Sequence, residues 1–254
     1  MPLSSSDRFL GRVEAYAKYR PSYPAAAIDL LEARCGLKPG AAVIDLGSGT
    51  GILSALLLKR GARVFGIEPN PQMRHYCGLS LGGEFRGGDG TAEDTHLPDT
   101  SFDLLVAGQA FHWFDPQRTR IEALRILRPG AWAALLWNER HKGVVPFLED
   151  YEALLRRYAP QYDAVARLRA REDGIGQFFG HPPERATFSN EQVFDFEGLA
   201  GRVMSSSYAP MPERPEHEPL MAGLREVFER HQRDGKVVFP YQTLVYFGQP
   251  GRPA

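Results

Sequence analysis

Val43-Ile44-Asp45-Leu46-Gly47-Ser48-Gly49-Thr50-Gly51 carries an apolar run into three glycines, and a helix signal, Ile52 to Arg60, follows at once. Ala41 to Leu46 reads as a short buried strand. Gly61 stops the helix, and Arg63 to Ile67 reads as a second strand. Strand, glycine turn, helix and strand within about 30 residues make a right-handed βαβ unit. The alternation continues outward. Pro24 opens a helix over 25–34 that ends at Gly36. Pro71 to Cys77 is a short helix, Glu84 to Arg86 a weak strand, and Phe102 to Ala107 a strong one. Thr119 to Leu127 is helical, with Ile121, Leu124 and Leu127 on one apolar stripe. Ala131 to Trp137 is another buried strand. Strands alternating with helices predict a doubly wound, Rossmann-like α/β sheet covered on both faces.

Beyond Trp137 the pattern changes. Phe147, Tyr151, Leu154, Leu155 and Tyr158 form a helical stripe, Val193 to Phe196 a strand, and Gly198 to Ser205 a helix. Leu220 to Gln232 is a clean amphipathic helix, and Thr243 to Phe247 a last strand, with Val237 to Phe239 a candidate extension of it. One domain over 1–254 is expected. It divides into an N-terminal lid (1–24, with Phe9, Val13, Tyr16 and Tyr19 near helical spacing), a cofactor-binding core (25–137), an aromatic helical cap inserted at 138–210, and a C-terminal helix and strand (211–254).

The glycine turn lets backbone N–H groups approach a ligand. Its spacing is G-x-G-x-G, and Ile52 stands where a dinucleotide fingerprint has its third glycine. Asp45, two positions before Gly47, would repel a pyrophosphate and welcome a cation. Glu68 ends the second strand 21 positions after Gly47, where a carboxylate accepts both hydroxyls of a ribose. An adenosine carrying a cation instead of phosphates is S-adenosylmethionine. The alternatives are a tight turn without a ligand and a nicotinamide-dependent dehydrogenase, the latter disfavoured by the glycine spacing and Asp45.

The 254 residues carry 30 Lys and Arg against 31 Asp and Glu, a net charge of −1, with 43% hydrophobic and 24% charged. That balance argues against a nucleic-acid partner or a polybasic membrane anchor. Cys35 and Cys77 form no CxxC pair, the seven histidines show no metal-ligand spacing, and no G-x-S-x-G elbow occurs. The N-terminus lacks an apolar signal core and no run approaches a membrane span. A cytoplasmic protein without a metal, monomeric or homodimeric, is expected.

Four segments in order then resemble the class I S-adenosylmethionine-dependent methyltransferases of type 11. Val43 to Gly51 resembles their first motif and Val64 to Asn70 the ribose-binding second. Gly90-Thr91-Ala92-Glu93 with Ser101-Phe102-Asp103 is similar to the adenine-contacting segment, and Leu124 to Gly130 to the turn before the fifth strand. The resemblance implies a seven-stranded sheet, mostly parallel with an antiparallel last strand. It implies that Asp45, Gly47, Ser48, Gly49 and Gly51 hold the methionine part of the cofactor, Glu68 the ribose, and Pro69, Asn70 and Met73 flank the adenosine. Ala92 and Glu93 fall at the adenine edge, with Thr91 where the family often has Asp. Gln109 falls at the rim where the methyl emerges, and S-adenosylhomocysteine is the product.

Gln109 to Asp115 is the expected substrate-facing segment and lacks the Asn/Asp-Pro-Pro-aromatic motif of enzymes acting on nucleobases or amides. His112 is either a general base or a packing residue beside the cofactor, because transfer from a sulfonium often needs only alignment and desolvation. Trp113 is a pocket wall or a cation–π contact. Arg20-Pro21-Ser22-Tyr23-Pro24, with Ala110 to Trp113, is similar to the trans-aconitate methyltransferase type. That implies a lid of Tyr16, Tyr19 and Arg20, whose bland reading is an Arg capping a carbonyl and a Tyr between helices. Arg202 and Tyr208 are candidates to orient an oxygenated substrate. The resulting expectation is transfer of a methyl group to an oxygen of a small acidic or phenolic metabolite. The alternatives are carbon or nitrogen methylation, or a silent cofactor-binding scaffold.

Overall fold

The computed structural model describes residues 12–140, 145–163 and 173–251. Phe9, expected on the lead-in helix, lies outside them. The elements are α1 (Val13–Tyr19), α2 (Ala25–Arg34), β1 (Ala42–Leu46), α3 (Ile52–Lys59), β2 (Arg63–Ile67), α4 (Pro71–Leu81), β3 (Phe85–Gly88), β4 (Phe102–Gly108) and α5 (Pro116–Ile126). They continue with β5 (Leu127–Arg140), α6 (Pro146–Tyr158), α7 (Asp173–Phe179), β6 (Glu184–Phe194), α8 (Phe196–Met204), α9 (His217–His231) and β7 (Val237–Gly248).

The seven strands form one sheet in the order β3-β2-β1-β4-β5-β7-β6. Pairing is parallel from β3 through β5, and β7 runs antiparallel to both β5 and β6. The expected reversed last strand is there, and it reaches back through Val237–Phe239. Period-2 alternation sends Val43, Leu104 and Val106 to one face and Ile44, Leu46 and Leu105 to the other, giving two cores. The chain winds outward from β1 to β3, then returns to place β4 on the other side. The carboxyl ends of β1 and β4 therefore flank the point where strand order reverses, the crevice where open α/β sheets bind ligands.

A third core lies off the sheet's end. Tyr151 and Leu155 of α6, Leu199 of α8, Leu224 of α9 and Phe239 of β7 are buried together. Its foundation is an overhang of the sheet: Glu139 and Arg140 still pair with Gln242 and Tyr241. The helical cap is thus rooted in β5 and β7. The segment 138–210 also contains β6, a full strand of the main sheet, longer than expected and ending at Phe194 because Asp195 caps α8 through the Gly198 N–H at 2.8 Å.

The α5 stripe is a correction. Thr119, Glu122, Ala123 and Ile126 face inward, whereas Ile121 is 70% and Leu124 47% exposed. Glu122 can be buried because it accepts from the Thr95 N–H (2.8 Å) and pairs with Arg125 (2.7 Å), so the inner face is polar and apolar counting misplaces it. Among the described residues no helix is long and apolar enough to cross a membrane.

Candidate active site

Asp45 closes β1 with 1% of its surface exposed. One carboxylate oxygen accepts the Ser54 hydroxyl at 2.7 Å, and the other, Oδ1, is buried without a partner. Burial pushes this carboxyl up to about 7, against the Ser54 bond that opposes the rise. Ser48 Oγ and Thr50 Oγ1, in the turn beside it, are likewise buried and unpartnered. The turn is pinned by Gly47 and Ser48 N–H groups donating to the Ile67 carbonyl at 2.8 and 3.1 Å. Gly47 has φ +68°, and a Cβ there would lie 2.5 Å from Ala110 Cβ. Gly51 serves packing instead: at φ +87° it starts α3, and a Cβ would meet Cys77 Sγ at 2.6 Å.

Glu68, at the end of β2, accepts the Gly49 N–H at 2.9 Å and the Asn70 N–H at 2.8 Å. Burial raises its pKa while both backbone bonds oppose the rise. A carboxylate has about four acceptor sites, so two backbone donors leave capacity for a ligand. Pro69 is exposed. Asn70 caps α4 by accepting from Gln72 and Met73 N–H groups at 2.9 and 3.1 Å. Met73 is buried with its sulfur 4.0 Å from the position of a Gly49 Cβ. Ala92 is buried, and Glu93 accepts the Asp115 N–H at 2.8 Å, tying its turn to the start of α5.

Gln109 follows β4 in the left-handed region, φ +57°, an uncommon conformation that concentrates at functional sites. Its amide Nε2 donates to the Asn138 carbonyl at 2.9 Å. Phe111 then buries itself edge-on against Trp137 and Phe178 at 6.2 and 5.4 Å. His112 and Trp113 stay half-buried with their rings 4.8 Å apart.

A cavity of about 490 Å³ joins these strand ends to the cap. Asp45, Gly47, Ser48, Gly49, Thr50, Gly108 and Gln109 line its inner end, and Tyr16, Arg20, Arg202 and Tyr208 its walls. Glu68, Pro69, Asn70, Met73, Ala92 and Glu93 lie around the turn but off this lining, as do Gly51, His112 and Trp113. Tyr19 also lies off it. Its ring fills the space above Gly201 of α8, within 2.4 Å of where that residue's Cβ would stand, so it wedges two helices together. Arg20 caps the end of α8 through the Ser205 carbonyl at 2.9 Å and stacks on Tyr16.

Several lining residues escaped the sequence reading. Tyr23 lies inside the quoted 20–24 motif, and its hydroxyl sits 2.6 Å from where a Gly108 Cβ would be, so the glycine admits the tyrosine. Burial raises the Tyr23 pKa well above the ordinary phenol value. Asn138 donates to the Ser22 carbonyl at 3.1 Å and accepts from Asn190 (3.0 Å) and Thr243 (2.5 Å), strapping the N-terminal segment to β5, β6 and β7. Arg140 reaches the Tyr162 and Tyr208 hydroxyls at 2.7 and 2.6 Å, and Arg202 donates to Tyr241 at 3.0 Å. No periodicity marks these positions. Among the described residues no group of three or more His, Cys, Asp or Glu forms a metal site.

Residues 44–135 match the type 11 family described as "Methyltransferase domain". An uncharacterized methyltransferase of Mycobacterium tuberculosis is 42% identical over 159 residues, 62% of this chain and 63% of the relative, so the match spans less than two thirds of that protein's length. An uncharacterized methyltransferase-like protein of Schizosaccharomyces pombe is 26% identical over 241 residues, 92% of each chain. A proposed type II methyltransferase from Anaeromyxobacter dehalogenans shares the fold at TM-score 0.62 and 21% identity, covering 91% of this chain and 99% of that one. Sheet order and crevice define a Rossmann-like methyltransferase fold. In its motifs over residues 44–135 and in its relatives, the chain is similar to methyltransferases.

Proposed function

We propose that this protein transfers the methyl group of S-adenosylmethionine to an oxygen of a small acidic or phenolic molecule. The observation that carries the reading is the inner end of the cavity. There a buried carboxylate oxygen of Asp45 and the hydroxyls of Ser48 and Thr50 have no protein partner, in the same space that the polar cap wall encloses. A buried acceptor and donors left open cost stability unless a ligand completes them. They fit a zwitterionic amino-acid group, with Asp45 for its ammonium and the hydroxyls for its carboxylate. Glu68 keeps acceptor capacity for ribose hydroxyls, and Met73 and Ala92 supply apolar surface for an adenine.

When bound, S-adenosylmethionine supplies an electrophilic methyl on a sulfonium: the carbon–sulfur bond breaks as the carbon–oxygen bond forms, leaving neutral S-adenosylhomocysteine. The chain's task is alignment and water exclusion. The strap 20–24, fixed by Asn138 and Arg20, covers the strand ends, and α6 and α8 close the cap. Tyr23, its pKa raised, stays protonated and donates a hydrogen bond instead of accepting a proton. An acceptor carboxylate is already ionised and needs no base, whereas a phenol must enter as its phenolate, its proton left in bulk solvent before the site closes. His112 lies off the cavity lining, and the proposal gives it no proton to carry. Incubation with methyl-labelled cofactor and a panel of carboxylic acids and phenols tests this. Label in an ester or ether supports it, while cofactor binding with no transfer to any oxygen acceptor contradicts it.

A further inference from the structure

The cap end of the cavity holds charge that the protein itself does not neutralise. Arg202 is 4% exposed, and its hydrogen bonds go to neutral oxygens, Tyr241 at 3.0 Å and Ser206 Oγ at 3.1 Å. Among the described residues no carboxylate lies within ion-pair distance of it, and its charged neighbour, Arg140, repels it. Among the described residues Arg140 has one carboxylate and shares it: Glu152 meets Arg140 at 3.2 Å with one oxygen and Arg156 at 3.0 Å with the other. The aromatic rings of Tyr151 and Phe239 back the two guanidiniums at 5.2 and 5.6 Å. Both line the cavity. A guanidinium carries five N–H donors, so each has donors left over. Burying a cation without a counter-charge is costly, and such an arrangement is expected where a ligand brings the anion.

We propose that Arg140 and Arg202, with the hydroxyl of Tyr208 beside them, form a subsite for a carboxylate of the methyl acceptor. The inference rests on the methyltransferase reading and narrows it. The acceptor is a carboxylic acid, anchored by one carboxylate and methylated on a second oxygen, because a carboxylate held by two guanidiniums is a weakened nucleophile. Hydroxy acids and polycarboxylates meet this requirement, and phenols without an acid group do not.

Full-length protein is titrated with 4-hydroxybenzoate, citrate and the neutral 4-hydroxybenzamide, with and without S-adenosylhomocysteine, following heat of binding and thermal unfolding. At least one acid is expected to bind about tenfold or more tightly than the amide. Arg202→Met and Arg140→Gln are expected to weaken that binding about tenfold while shifting S-adenosylhomocysteine affinity by less than about threefold. Ligand-free Arg202→Met is expected to unfold no earlier than wild type, because it removes an unneutralised buried charge. Equal binding of acid and amide overturns the subsite. So does acid binding that survives in both variants, or an Arg202→Met protein that melts earlier yet binds acids as wild type does. Acid binding with no S-adenosylhomocysteine binding in wild type supports the subsite while refuting the methyltransferase reading.

Discussion

Ser54 donates its hydroxyl to one oxygen of Asp45 at 2.7 Å and leaves the other oxygen buried without a partner. The helix behind the glycine turn thus fixes the carboxylate while half of its hydrogen-bonding capacity faces the cavity. The folded carboxyl keeps its proton up to about pH 7, whereas the unfolded one releases it near 3.8. Between those values the folded state binds more protons, so the Asp45 contribution to ligand-free stability falls as pH rises through that window. The ammonium of the ligand's amino-acid group needs the ionised form. Affinity for S-adenosylhomocysteine is therefore expected to fall about tenfold per pH unit below about pH 7. In Asp45→Asn it should be weak and flat across pH. Calorimetry at several pH values reads both; a flat wild-type profile would contradict the assignment.

The glycines of the turn separate by substitution. Gly47→Ala places a methyl 2.5 Å from Ala110 Cβ at φ +68° and should cost about 2–4 kcal/mol of stability. Gly49→Ala meets nothing nearer than 4.0 Å and should cost only about 1 kcal/mol. Because Gly49 faces the cavity, the same methyl should weaken cofactor binding about tenfold or more. Urea unfolding and calorimetry on the two variants distinguish the roles. Equal stability losses would contradict this division.

His112 and Tyr23 offer a direct contrast. Tyr23→Phe removes the hydroxyl at the end of β4 and should lower kcat/KM about tenfold or more. His112 lies off the cavity lining, and His112→Ala should leave kcat/KM within about threefold. A drop of about a hundredfold in His112→Ala would restore the imidazole as general base.

Asn138 holds the 20–24 strap through Ser22 while accepting from Thr243 and Asn190. Asn138→Ala leaves those groups without their buried partner and should cost about 2–4 kcal/mol. Limited proteolysis should then cut within 20–24 faster than in wild type. Unchanged protection there would mean that the strap is held by other contacts.

The half of the site built from local signals was readable in the sequence. Gly47 to Gly51 needs positive φ and close approach, which only glycine supplies, and Asp45 and Glu68 are carboxylates at the ends of apolar strands. Such features are written in consecutive residues. Of the cap wall only Arg202 and Tyr208 were legible, as polar groups in an apolar stretch; Arg140, Tyr162 and Tyr241 were not, because they come from three separate segments and meet only through tertiary packing. β6 was largely hidden for another reason: as an edge strand it keeps all but Phe194 exposed or half-buried, so its sequence lacks a strong apolar alternation. The α5 stripe misled because Glu122 is buried by its partners and not by its own polarity.

The most direct test of the account is calorimetric titration of S-adenosylhomocysteine into wild type, Asp45→Asn and Glu68→Gln at pH 8. The account predicts micromolar binding by wild type and at least about tenfold weaker binding in each variant, with all three folded. A folded wild-type protein that binds none, or variants that bind as tightly as it does, would contradict the claim that the glycine turn and its two acids form a cofactor site.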